Sequence, residues 1–159
     1  MKKIVFYNFF IFVFFLLFLE GIVRIFNLSN LLGINEDLII KNSKPLAYKP
    51  YMKSVVFGKD VYTDGNGFRV PFKNFKYSAK KSILIIGDST SFGVGVEEEK
   101  TFAGLIRKKF PEVNIYNTSL AGHDIYDHVL LLKKFENKLK FERVIYFLNL
   151  NDFGRLNNK

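Results

Sequence analysis

The 159-residue chain contains no cysteine and only two histidines. Without cysteine there is no disulfide framework, no thiol nucleophile and no thiolate metal site, and nothing marks the redox character of the compartment. Two histidines give little material for an imidazole metal centre. His123 and His128 lie near Asp124 and Asp127, but acids at the start of a helix are accounted for by the helix dipole. No G-x-x-x-x-G-K-[ST] run occurs, so nucleotide hydrolysis has no motif to rest on. There is no internal repeat, and no low-complexity tract beyond a Phe-rich stretch at the N-terminus. Proline is scarce, and three of the four prolines fall between residues 45 and 71.

Long apolar runs, by contrast, are present at once. Phe9 to Leu19 is unbroken, and apolar character resumes at Ile22-Val23 and Ile25-Phe26. A helix over Ile4–Phe26 would be roughly 35 Å long, enough for a bilayer core. Glu20 and Arg24 stand four apart, acid first, and can pair on that helix. Lys2 and Lys3 before the run also suit a secretion signal, yet no small-x-small cleavage site precedes Glu20. A buried core helix is the third alternative. The reading adopted is an uncleaved single-pass membrane anchor, 1–26. Its basic flank predicts a cytoplasmic N-terminus and an extracytoplasmic remainder.

The net charge of +9 is unevenly placed. Residues 41–81 hold ten basic side chains against Asp60 and Asp64, whereas the segments before and after are nearly balanced. This reads as a solvated basic connector, 27–81, or as a collar resting on anionic headgroups. Tethered outside the cytoplasm, it is not a nucleic-acid binder. Within it, Ser54–Phe57 and Val61–Thr63 flank Gly58-Lys59-Asp60, which predicts a small hairpin with a three-residue turn. Asp64-Gly65-Asn66-Gly67 predicts a further turn.

From residue 82 the pattern becomes regular. Ile83–Ile86 is a continuous aliphatic run of the kind found in buried parallel strands. A helix follows, with Phe102, Leu105, Ile106 and Phe110 at helical spacing, Arg107-Lys108-Lys109 in its last turn and Pro111 beyond. Val113–Asn117 is a second strand. Asp124 is the expected N-cap of a second helix bearing Ile125, Val129, Leu132 and Leu139 on one face. Val144–Leu148 is the third strand. Strand–helix alternation at this spacing predicts an α/β fold, a parallel sheet between helices.

The loops after the three strands carry the candidate chemistry, because parallel strands bring such loops to one edge. Asp88-Ser89 and a Gly-containing loop follow the first; Thr118 to Gly122, then His123 and Asp124, follow the second; Asn149-Leu150-Asn151-Asp152 follows the third. Ser89 is the candidate nucleophile. The Ser89 N–H, the Gly122 N–H and the Asn151 carboxamide are candidate donors to a developing oxyanion. His123 is a candidate local base, against the plainer alternative of a loop residue lining the cleft. His128 is expected to face solvent.

Gly87-Asp88-Ser89-Thr90, Asn117-x-x-x-x-Gly122 and Asn149-Leu150-Asn151-Asp152 resemble, in order and spacing, the first three sequence blocks of the SGNH/GDSL hydrolase family. Asp64-Gly65-Asn66-Gly67-Phe68-Arg69 is similar to an element that precedes the domain in membrane-anchored bacterial members. The resemblance implies a flavodoxin-like three-layer α/β/α sandwich, Ser89 as nucleophile, and Gly122 and Asn151 completing the oxyanion hole. It implies esterase, lipase or acyl-transfer activity on acylated glycans or lipids, with no cofactor. Asn149 departs from the family pattern, standing where a glycine is usual. The D-x-x-H block that supplies the family's catalytic Asp and His is not present in these residues. The expectation is therefore that residues 82–159 form the N-terminal half of such a domain, with little turnover by itself. The alternatives are a non-catalytic, membrane-tethered module that binds a ligand or partner, and a phosphate-cradling loop over Asp88–Gly95.

Overall fold

The computed structural model describes residues 2–26, 28, 33–34, 36–79 and 81–153. Helix α1 (Lys2–Ile25) carries the Phe-rich run, and Arg24 Nε donates to Glu20 Oε1 at 2.8 Å near its end. Among the described residues α1 is the one helix long and apolar enough to cross a membrane, a property that spans and signal sequences share. Its large apolar side chains are exposed along its length rather than packed on the rest of the molecule.

The segment after α1 contributes three strands, β1 (Lys53–Val56), β2 (Lys59–Thr63) and β3 (Arg69–Val70). Val56 pairs with Lys59, so the β1–β2 turn is the two-residue Phe57-Gly58, not the three-residue Gly58-Lys59-Asp60. Both turn residues have positive φ, 47° and 73°, the geometry whose twist matches that of the flanking strands. An aromatic at the first turn position hides the turn from a composition-based reading.

β4 (Lys81–Ile86), α2 (Ser89–Phe92), α3 (Phe102–Lys109), β5 (Val113–Asn117), α4 (Ile125–Phe135) and β6 (Arg143–Tyr146) follow. The six strands form one sheet in the order β1-β2-β3-β5-β4-β6. β4 is parallel to both β5 and β6, while β1, β2 and β3 join antiparallel. The sheet is thus mixed α/β rather than wholly parallel. Short turns link the connector strands, and only a helical crossover can return a chain in parallel. Arg69 opposite Asn117 is the seam between the two halves.

Side chains of β4 alternate between two cores. Leu84 and Ile86 pack with Leu131 and Phe135 of α4, and Ile83 and Ile85 pack with Ala103 and Ile106 of α3. A third core, with Leu38, Tyr48, Val56, Val61 and Phe92, fastens the connector onto α2. The predicted apolar faces coincide only in part with the packed ones: Ile106 packs in the α3 core, and Leu132 and Leu139 pack against the α4 core. In α3, Phe102, Leu105 and Phe110 are exposed, while Ala103 and Gly104 are buried. A Cβ on Gly104 would overlap the Glu98 carbonyl, so small residues set that approach. In α4 the buried stripe is His128, Leu131 and Phe135, Val129 is exposed, and Leu139 lies beyond the helix end.

Candidate functional site

β4 and β5 lie side by side, yet the crossover from β4 leads to β5 on one side and the next crossover leads to β6 on the other. The carboxyl end of β4 is therefore the point where strand order reverses, the place where open α/β sheets form a crevice. Gly87 and Asp88 turn the chain there into the single-turn helix α2. Buried Asp88 caps it, accepting the Thr90 N–H at 2.9 Å. Gly93 closes it in the left-handed region at φ 80°, with its N–H on Ser89 O at 3.0 Å. Ser89 stands at the first helical position, half-buried, with an N–H that the helix itself has no partner for.

The loop after β5 is stitched to the end of β4. Thr118 donates to Ile85 O from its N–H at 2.9 Å and from Oγ1 at 2.7 Å, and Leu120 N–H donates to Gly87 O at 3.2 Å. Buried Asn117 reaches Ser91 O at 3.5 Å. This brings Gly122 beside α2 at φ 89°, a conformation that suits glycine, with open space where a Cβ would point. The Gly122 N–H donates to no group among the described residues. Ser89 and Gly122 line one open cleft of about 520 Å³, with Thr90 and Val94. Two of the three residues expected to supply donors thus line one space. Asn151 lies in the turn Leu150–Phe153, and its side chain lies outside the described residues.

The histidines are engaged elsewhere. His123 is buried, and its Nε2–H donates to Leu46 O at 2.8 Å, tying the β5 loop to the connector. It lines a separate pocket with Pro45, Leu46 and Tyr48, not the Ser89 cleft. Burial lowers its pKa from the ordinary 6.5, only partly offset by the Leu46 bond. His128, expected to face solvent, is buried on the inner face of α4. Its Nδ1 meets the Tyr146 hydroxyl at 3.2 Å, and that hydroxyl donates to Asp152 Oδ2 at 3.1 Å. The Tyr146 hydroxyl, held by desolvation and by Asp152, is pushed up to about 12. Among the described residues, no histidine, aspartate or glutamate lines the Ser89 cleft.

Two residues that the sequence reading gave no role hold the site in place. Asn149 donates from Nδ2 to Asp88 Oδ2 at 3.0 Å while its N–H bonds Asp152 Oδ2 at 3.0 Å, so it laces the β6 loop to the Ser89 loop. A glycine could make only the second bond. Arg69, 1% exposed, donates from Nη1 to Phe92 O and Gly93 O, both at 2.8 Å, and from Nη2 to Val96 O at 2.6 Å. Burial pulls its pKa down and the nearby Glu98 carboxylate opposes that. Arg69 is presented by a turn in which Asp64 accepts the N–H groups of Asn66 and Phe68. The available signal was its type: it is the sole arginine among nine lysines in 41–81, and a planar five-donor fork suits several carbonyls at once.

The chain matches no protein-family model and no curated protein.

Proposed function

We propose that this chain carries the nucleophile and oxyanion loops of a serine ester hydrolase or acyltransferase of the SGNH type, held at a membrane by α1 with its N-terminus in the cytoplasm. The single observation supporting this most is the shared cleft of Ser89 and Gly122 at the reversal of strand order. In this reading Ser89 attacks an acyl carbonyl, and the N–H groups of Ser89 and Gly122, with the Asn151 carboxamide, hold the resulting oxyanion. An oxyanion donor contributes ~3–4 kcal/mol to the transition state, so the cleft favours attack at Ser89 over other hydroxyls. The three parallel strands and the helices α3 and α4 on opposite faces are compatible with part of a flavodoxin-like sandwich. The substrates are acylated glycans or lipids near the membrane, and no cofactor takes part.

The test is modification by a fluorophosphonate, read by intact and peptide mass. The expected result is a single adduct at Ser89, lost in Ser89→Ala and retained in His123→Gln. Because no described imidazole reaches Ser89, its rate should rise about tenfold per pH unit between pH 7 and 9, following hydroxide. Adducts scattered over several hydroxyls, or persisting in Ser89→Ala, would overturn the assignment. That no histidine, aspartate or glutamate among the described residues lines the cleft also favours a second reading, a binding module without turnover. Ligand binding of equal affinity in Ser89→Ala, with no adduct at Ser89, selects it.

A further inference from the structure

The Ser89 cleft is not built by the parallel strands and their loops alone. Ile34 and Phe57, both from the segment that follows α1, line it together with Val94 and Ala121. Phe57 is the notable member. It occupies the first position of a two-residue hairpin turn at φ 47°, where glycine, asparagine or aspartate is the ordinary choice. A bulky side chain held in the left-handed region is strained, and strain of this kind collects where a site needs it. Core packing does not account for the residue, because its side chain is 43% exposed.

The tip is nevertheless held firmly beside Ser89. The Phe57 N–H donates to Gly33 O at 3.0 Å, and Ile34 bridges to Val56. On the other side Lys59 Nζ meets Glu97 Oε1 at 2.9 Å, joining the hairpin to the loop beyond α2. Gly95 passes so close that a Cβ there would lie 3.6 Å from the Phe57 Cβ. The lining is thus of two kinds: the hydroxyls of Ser89 and Thr90 with the N–H groups of Ser89 and Gly122, which have no partner among the described residues, and hydrocarbon from Ile34, Phe57, Val94 and Ala121.

We infer that the hairpin tip is the acyl-recognition wall of this cleft, with Phe57 selecting longer linear aliphatic acyl groups over acetyl. The inference rests on the proposed acyl chemistry at Ser89 and names its substrate class. The carbonyl carbon lies at Ser89 with its oxygen toward the Gly122 N–H, and the alkyl chain lies along Phe57 and Ile34. A sugar or glycerol leaving group is polar and has no reason to occupy that wall, whereas an alkyl chain gains by leaving water there.

The test uses the full chain in lipid nanodiscs. Straight-chain carboxylates from two to six carbons are titrated while the methyl resonances of Val94 and Ala121 are followed by NMR. Full burial of a methylene is equivalent to roughly a fourfold gain in affinity; in an open cleft about twofold per methylene is expected. In Phe57→Gly, which the turn conformation accepts without strain, the gain per methylene should flatten, and Phe57→Leu should retain it. A role in folding alone would weaken all lengths in parallel, and that outcome overturns the inference, as does affinity independent of length in the wild type. Fluorophosphonates with the same alkyl lengths separate the two proposals. Length-dependent carboxylate binding with no adduct at Ser89 refutes the acyl-transfer chemistry and leaves the wall standing. Adducts at Ser89 beside length-independent binding do the reverse.

Discussion

Arg69 is the residue on which the geometry around Ser89 most depends. Its guanidinium satisfies three carbonyls of the segment Phe92–Val96, which begins at the last residue of α2, and lies 4.8 Å from the Phe92 ring centroid. Replacing it by methionine leaves those carbonyls without their donor in a region closed to water. Each bond to a charged donor contributes about 1.5–3 kcal/mol, and part of the loss is recovered by removing a buried charge. The expected result for Arg69→Met is a destabilisation of about 3 kcal/mol by denaturant unfolding. Arg69→Lys should not restore it, because one ammonium cannot reproduce a planar fork. Asn149 teaches a related lesson. Read from sequence it is a mild backbone departure at a glycine position, yet its side chain bonds Asp88, a partner sixty-one residues away. Spacing along a chain does not disclose such a pair.

At the level of elements, strands were more legible than helix faces. The aliphatic run at 83–86 is a strand because burial on both sides leaves no room for polar alternation, and Val113–Asn117, which carries Asn114 and Asn117, pairs beside it. Apolar spacing marks the buried side of a helix only in part: Ile106, Leu132 and Leu139 pack inward, whereas Phe102, Leu105 and Val129 are exposed. In α4 the inner face includes His128, whose ring is buried with a tyrosine and an aspartate; its polarity hid it. The β5 loop is held to the connector through His123, and this contact carries a pH dependence. Burial lowers the folded pKa below 6.5, while Asp124 and Asp127 nearby oppose that and His128 reinforces it. The unfolded chain therefore takes up a proton more readily than the folded one as pH falls. The contribution is complete above pH 6.5 and is lost progressively below it. Denaturant midpoints at pH 7.5 and 5.0 should differ less in His123→Gln than in the wild type; an equal difference would show that His123 is not the titrating group.

For the whole molecule, the connector is part of the sheet and of the cleft. β1, β2 and β3 extend the sheet antiparallel, and Ile34 and Phe57 reach the space beside Ser89. Whatever α1 is attached to thus stands a few residues from a wall of the site. With Lys2 and Lys3 at the start of α1 and Arg24 at its end, the proposed orientation carries everything after α1 out of the cytoplasm. Alkaline phosphatase fused after Lys159 should be active and a green fluorescent protein fusion dark. The reverse pattern would overturn the orientation. Extraction by carbonate would remove the anchor from the proposal while leaving the cleft intact.

What the order of residues determined unaided is whatever depends on neighbours in the chain: the apolar length of α1, the aliphatic strand 83–86 and the strand 113–117, the Asp124 cap, and the loops that bear Ser89 and Gly122. These follow from the local periodicity of burial and from the conformations open to glycine and aspartate. The fold alone decided which loops share a space, that the connector joins the sheet through Arg69 and Asn117, and that both histidines turn inward away from Ser89. Those outcomes come from contacts between residues far apart in the chain, whose free energy depends on packing and on the pairing of buried polar groups. No local pattern records them.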